Sequence, residues 1–185
     1  IDIINILLTY NANINVINNN GQNALHLAIY TTDINICNKI LNTNIDINKK
    51  TNTGETALHR AINFNMNNLA IELIRNKINI NSPDFDNEYT ALHYTVSLDN
   101  ITVFKELIKQ PNININIQDY IGNTALHYIC KNLNYNMLAV IEQYNPNANI
   151  FNYENKFPLY LLLDNNFDVE HNISWLILNT NLNTL

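Results

Sequence analysis

Four histidines recur at near-constant spacing, His26, His59, His93 and His127, with steps of 33, 34 and 34 residues. An imidazole can ligate a metal, move a proton, or satisfy backbone groups left unpaired at the start of a helix. Zinc requires ligands that converge on a tetrahedron, whereas one histidine per repeated unit forms a row. The spacing therefore points to structural bracing, each ring bonding back to a helix cap or across to the next unit's turn. His171 falls outside the pattern and is assigned no role. Cys37 and Cys130 lie 93 residues apart, which fits neither a disulfide framework nor a zinc motif. Each aligns with small apolar positions of other copies, as buried hydrophobes do, and free thiols suit a reducing intracellular compartment. The glycines never cluster into a phosphate loop, and no Ser-His-Asp pattern has supporting context. No catalytic residue, cofactor or metal site is expected.

The elements that would hold these side chains repeat with them. Each histidine closes a tetrapeptide: Asn23-Ala24-Leu25-His26, Thr56-Ala57-Leu58-His59, Thr90-Ala91-Leu92-His93 and Thr124-Ala125-Leu126-His127. A diverged copy, Phe157-Pro158-Leu159-Tyr160, follows 33 residues on. The three glycines, Gly21, Gly54 and Gly122, each stand two residues before the tetrapeptide, a phase that calls for positive φ at a tight turn. Asn155 fills that place in the last copy. Asn23, Thr56, Thr90 and Thr124 are N-cap types. A short first helix follows, and then a second amphipathic stretch such as Leu69-Ala70 with Leu73-Ile74. Asn44 and Asn112 are expected as left-handed caps at the exits of the second helices. Alternating arms such as Asn112-Ile113-Asn114-Ile115-Asn116 lead into the next turn. One extra residue is expected between Ser82 and Asn87, and another at Pro111.

Composition excludes several classes. There are 41 Asn and 28 Ile, and only 14% of residues are charged, so asparagine supplies the surface usually given by Lys and Glu. A disordered asparagine tract would lack this ordered aliphatic spacing. A net charge of −6 with two arginines argues against a nucleic-acid groove. No apolar run approaches the 18 or so residues a membrane span needs. Asn100 and Asn172 head formal glycosylation sequences, which chance explains in a chain so rich in asparagine.

Turn, cap, helix, loop, helix and arm every 33 or 34 residues resemble the ankyrin repeat. Gly54-Glu55-Thr56-Ala57-Leu58-His59-Arg60-Ala61 matches the family's turn and first helix, and Lys77-Ile78-Asn79-Ile80-Asn81 matches its arm. The resemblance implies an all-α solenoid of stacked helix-turn-helix units with hairpin-like turns. It implies one array over 1–185, divided into a partial repeat 1–18, repeats 19–51, 52–84, 85–118 and 119–151, and a diverged or capping repeat 152–185. The opening in mid-repeat suggests a piece of something longer. Alanine replaces the family proline in four copies, and Phe157 and Tyr160 replace cap and histidine in the fifth. Gly21, Gly54, Gly122, Asn23, Thr56, Thr90, Thr124 and the four histidines are thus scaffold. Asn15, Asn48, Asn81 and Asn116 sit where family members are hydroxylated, or simply brace the turn.

The resemblance places binding on the turn tips and the exposed face of the first helices. The tips read Asn19, Asn20, Gln22; Asn52, Thr53, Glu55; Phe85, Asp86, Tyr89; Tyr120, Ile121, Asn123; and Tyr153, Glu154, Lys156. Arg60, Phe64, Phe85, Tyr89, Tyr94, Leu98, Tyr120, Ile121 and Tyr128 form the candidate partner-binding set, rich in the types that dominate interfaces. Alternatively, several of these aromatics pack between neighbouring tips. The expected function is a monomeric, non-enzymatic module that binds a protein, with no nucleic acid or membrane partner. Its style is similar to ankyrin proteins of large DNA viruses, including the poxvirus type, acting in the host cytoplasm. The alternative is a recruiting array for an enzyme or ubiquitin ligase whose effector lies elsewhere, and a structural tether is a third class.

Overall fold

A computed structural model describes residues 2–10, 12–165 and 173–181; His171 and Asn172 lie outside them. Among the described residues the regular elements are helices: α1 (Asp2–Thr9), α2 (Ala24–Tyr30), α3 (Ile34–Leu41), α4 (Ala57–Asn63), α5 (Asn67–Arg75), α6 (Ala91–Ser97), α7 (Ile101–Ile108), α8 (Ala125–Lys131), α9 (Tyr135–Ile141), α10 (Pro158–Leu163) and α11 (Ser174–Asn179). The fold is an all-α repeat of the solenoid class. The chain forms two compact units, 1–79 and 80–185.

In the first unit α2 packs on α3, α4 on α5, and the first helices α2 and α4 on each other. Leu25, Ile29, Leu58, Ile62, Leu69, Leu73 and Ile78 are fully buried there. In the second unit α6 pairs with α7 and α8 with α9, while α8 also packs on α6 and α10. Phe104, Leu107, Ile108 and Leu126 fill that core. Cys37 and Cys130 are free and fully buried, and burial raises the Cys37 thiol to about 11 and the Cys130 thiol further. Neither is poised as a nucleophile.

Each first helix starts at its anticipated cap. Asn23, Thr56, Thr90 and Thr124 form capping boxes with His26, His59, His93 and His127 at the third helical position. The ring Nδ1 accepts from the cap's own N–H, at 3.1 Å for Thr56 and 3.0 Å for Thr124. Phe157 makes no side-chain cap bond; Pro158 instead starts α10, where its fixed φ suits the first turn. Asn100 is buried and caps α7 by accepting from the Val103 N–H at 3.1 Å.

The arms explain much of the asparagine. Asn15 Oδ1 accepts from Asp46 N–H and its Nδ2 donates to the Asn44 carbonyl, one repeat on. Asn48 accepts in the same way from Asn79. In the second unit Asn81 bridges to Asn114 and Asn112, Asn116 accepts from Asn147, and Asn149 bridges to Asn181 and Asn179. A primary amide does this because it carries donor and acceptor side by side, as the peptide group does. The bracing role of Asn15, Asn48, Asn81 and Asn116 is visible in these bonds, and Asn149 joins them.

Gly21, Gly54 and Gly122 have φ of 73°, 80° and 81°, and Asn155 has 57°. At Gly122 a Cβ would lie 2.8 Å from the Tyr153 backbone nitrogen, so space as well as φ requires glycine. The left-handed exits differ from expectation. Lys77 and Asn145 carry positive φ after the second helices; Asn44 and Asn112 do not. Asn44 and Asn112 instead lie in the arms, offering their carbonyls to Asn15 and Asn81. The turns between paired helices also use left-handed residues without glycine: Thr32, Asn65, Asp99 and Leu133. Thr32 is exposed with φ 54°, and a β-branched residue is strained there by about 1–2 kcal/mol. Thr32→Gly should raise the urea midpoint, reflecting about 0.5–1 kcal/mol of added unfolding free energy after glycine's entropic cost. A lower midpoint would show that no strain resides there.

Candidate protein-binding surface

Every tip is a clasp closed by its first and last residues. The opening N–H donates to the closing carbonyl in the pairs Asn18/Gln22, Thr51/Glu55, Asp84/Tyr89, Asp119/Asn123 and Asn152/Lys156. The opening side chain returns the bond, accepting from the closing N–H at 2.8–3.2 Å. The Asp84 clasp spans one residue more than the others, which places the anticipated insertion. Successive tips are joined by backbone bonds, Asn52 N–H to the Asn20 carbonyl in the first unit, then Tyr120 to Asn87 and Tyr153 to Ile121 in the second.

The clasp turns its closing residue inward, which corrects part of the sequence reading. Gln22 and Asn123 are buried rather than exposed. Tyr89 is half-buried, its ring stacked on His93 at 5.5 Å and 18°. Its hydroxyl donates to Tyr128, and the Tyr128 hydroxyl donates to Asp119 Oδ2 at 2.6 Å. Tyr94 donates likewise to Asp84 Oδ2 at 2.9 Å. Burial raises the Tyr89 and Tyr128 phenols well above their usual range, so they stay neutral donors. Asp84 and Asp119, absent from the candidate set, are buried and hold both tip and tyrosine. Their signal is an acid four or five residues before a tip's closing position.

Arg60 occupies the matching place in the first unit. It is buried, pairs with Glu55 at 3.0 Å, and lies 4.8 Å over the Tyr30 ring. Tyr30 in turn meets Phe64 edge-on at 5.3 Å. Tyr89, Tyr94, Tyr128 and Arg60 belong to the candidate partner-binding set, and the scaffold engages all four. Phe64, Phe85, Leu98, Tyr120 and Ile121 remain exposed, from 37% at Ile121 to 63% at Phe85.

The family profile described as ankyrin repeats in three copies matches residues 1–84 and 49–119. The chain belongs to the ankyrin-repeat family. An ankyrin repeat protein of Acanthamoeba polyphaga mimivirus is 34% identical over 67 residues, 36% of this chain and 16% of that protein. The chain thus spans about a sixth of that relative's length. A chain in the solved complex of the predatory endopeptidase Bd0816 from Bdellovibrio bacteriovorus with immunity protein Bd3460 shares the fold. Its TM-score is 0.77 at 19% identity, over 95% of this chain and 90% of that one. Ankyrin repeats are a protein-interaction module and in general non-catalytic.

In ankyrin terms the histidines join cap to neighbour. His93 Nε2 lies 3.3 Å from the Asn123 carbonyl and His127 Nε2 lies 3.2 Å from the Lys156 carbonyl, each in the following tip. Among the described residues no three of His, Cys, Asp and Glu gather as a metal site, and no helix is long and apolar enough to cross a membrane.

Two outcomes test this geometry. Tyr128→Phe leaves a buried Asp119 oxygen without its donor and should cost about 1–3 kcal/mol in urea unfolding; Tyr120→Phe, on the exposed tip, should cost nothing measurable. Burial lowers His26 and His127 from 6.5 to about 4, and lowers His93. Between those values the unfolded chain binds more protons than the folded one. The contribution of His26 and His127 is therefore whole above about pH 6.5 and is lost as pH falls toward about 4, on the order of 3 kcal/mol for each of these two rings, and His93 acts in the same direction. Urea midpoints should fall across that window, and His127→Gln should shrink the fall. An equal fall in the variant would remove His127 from the account.

Proposed function

We propose that this ankyrin chain is a non-catalytic adaptor that holds a partner protein through its turn tips and the exposed ends of its first helices. The supporting observation is that Phe64, Phe85, Leu98, Tyr120 and Ile121 stay exposed while neighbouring aromatics and Arg60 are consumed by the scaffold. Aromatic side chains with fixed backbones make strong interface anchors. Phe64 and its edge-on partner Tyr30 serve this role in the first unit; Phe85, Leu98, Tyr120 and Ile121 serve it in the second.

The mimivirus relative and the Asn- and Ile-rich composition favour a viral host-interaction role in the host cytoplasm, with the chain acting as a monomer. A second reading has support too. The mimivirus relative is much longer than the matched segment, as it would be if such an array recruits substrates to an enzyme or ubiquitin ligase in the same polypeptide.

Affinity capture from host-cell lysate distinguishes the surface. The unmodified chain should retain a protein that a Phe64→Ser, Phe85→Ser, Tyr120→Ser variant loses while keeping its helical circular dichroism. Equal retention by both baits would reject these residues as the anchors.

A further inference from the structure

The tips of the two units differ in kind. In the first unit they present Asn19, Asn20, Asn52 and Thr53, all uncharged and polar. In the second unit the exposed tip residues are Phe85, Asp86, Asn87 and Glu88, then Tyr120 and Ile121, then Tyr153, Glu154 and Asn155, so aromatic and acidic side chains are added to the polar ones. Two backbone bonds, Tyr120 to Asn87 and Tyr153 to Ile121, place these three tips side by side. Each tip therefore exposes an aromatic face, and the outer two add carboxylates, Asp86 and Glu88 on one and Glu154 on the other. Lys156 is the one basic residue among these tips, and it is already paired with Glu154 at 3.7 Å and Asp164 at 3.3 Å.

The chain itself shows what such a pairing holds. Arg60 sits between the Tyr30 face and the Glu55 carboxylate. Lys156 sits 5.4 Å over the Tyr160 ring with the Asp164 carboxylate beside it. An aromatic face attracts a cation through its quadrupole, and an adjacent carboxylate adds directional bonds.

We infer that the tip row of the second unit docks an Arg- and Lys-rich segment of its protein partner, with Phe85, Tyr120 and Tyr153 taking the cationic side chains and Asp86 and Glu88 pairing with them. This rests on the adaptor reading and adds the chemistry of the partner. Charge complementarity selects this occupant, since a chain of net charge −6 repels acidic segments.

The test uses a fluorescein-labelled peptide alternating Arg and Ser, with a Glu and Ser counterpart, followed by anisotropy on the full chain. The basic peptide should bind and the acidic one should not. Asp86→Asn with Glu88→Gln, and separately Phe85→Ala with Tyr120→Ala, should each weaken binding by about tenfold, the scale of combined cation–π and ion-pair contacts. Glu72→Gln with Glu142→Gln removes the same charge from α5 and from the turn after α9, away from the tips, and should leave affinity unchanged. If the Glu72/Glu142 variant loses as much as the Asp86/Glu88 variant while the Phe85/Tyr120 variant loses nothing, the attraction is net charge alone and the inference fails. If the lysate partner depends on Phe85 and Tyr120 but not on Asp86 and Glu88, the adaptor reading stands and the basic segment is wrong. If it depends on neither pair, both are wrong.

Discussion

The imidazole at the third position of α2, α4, α6 and α8 is the interaction on which this scaffold depends. Its Nδ1 satisfies a cap N–H that the helix cannot, which fixes the tautomer and leaves Nε2–H as a donor. That second nitrogen reaches the closing carbonyl of the following tip in His93 and His127. One ring thus couples a local event, the start of a helix, to a long-range one, the placement of the next repeat. Repeat proteins gain stability largely from such nearest-neighbour terms. Protonation of a ring would strip Nδ1 of that acceptor role.

The asparagine arms work beside this device on a different edge. Each closing Asn pairs with backbone of the following arm, imitating a strand partner without forming a sheet. This costs no charge, so the scaffold does not depend on ion pairs that salt would screen. Charged residues are then free to be placed where something else decides their position: Glu55 against Arg60, Asp84 and Asp119 under the tyrosines, Asp86 and Glu88 on the tips.

Most of the scaffold was legible because its signals are local and repeated. The tetrapeptides named the caps, the glycine phase named the left-handed turns, and the unequal steps located the insertion within the Asp84 clasp. What escaped needed knowledge of pairs. Tyr89, Gln22 and Asn123 look like tip residues until the acceptor four or five positions earlier is seen to turn them inward. Arg60 looks like a binding residue until Glu55 and Tyr30 enclose it. The left-handed Thr32, Asn65, Asp99 and Leu133 carried no glycine to mark them, since the paired helices on either side dictate their conformation.

The same correction sharpens the functional surface. Aromatic content alone could not separate Tyr89 from Tyr120, two tyrosines on adjacent tips. Position within the clasp separates them: the closing residue is committed by two backbone bonds, whereas the residue after the opening one is exposed at each of the five tips. Its exposed side chain is the one a partner can reach. In the second unit it is Phe85, Tyr120 and Tyr153; in the first it is Asn19 and Asn52. The scaffold repeats its internal bonds while this one position changes in character, and under the adaptor proposal the aromatic choice in the second unit serves recognition.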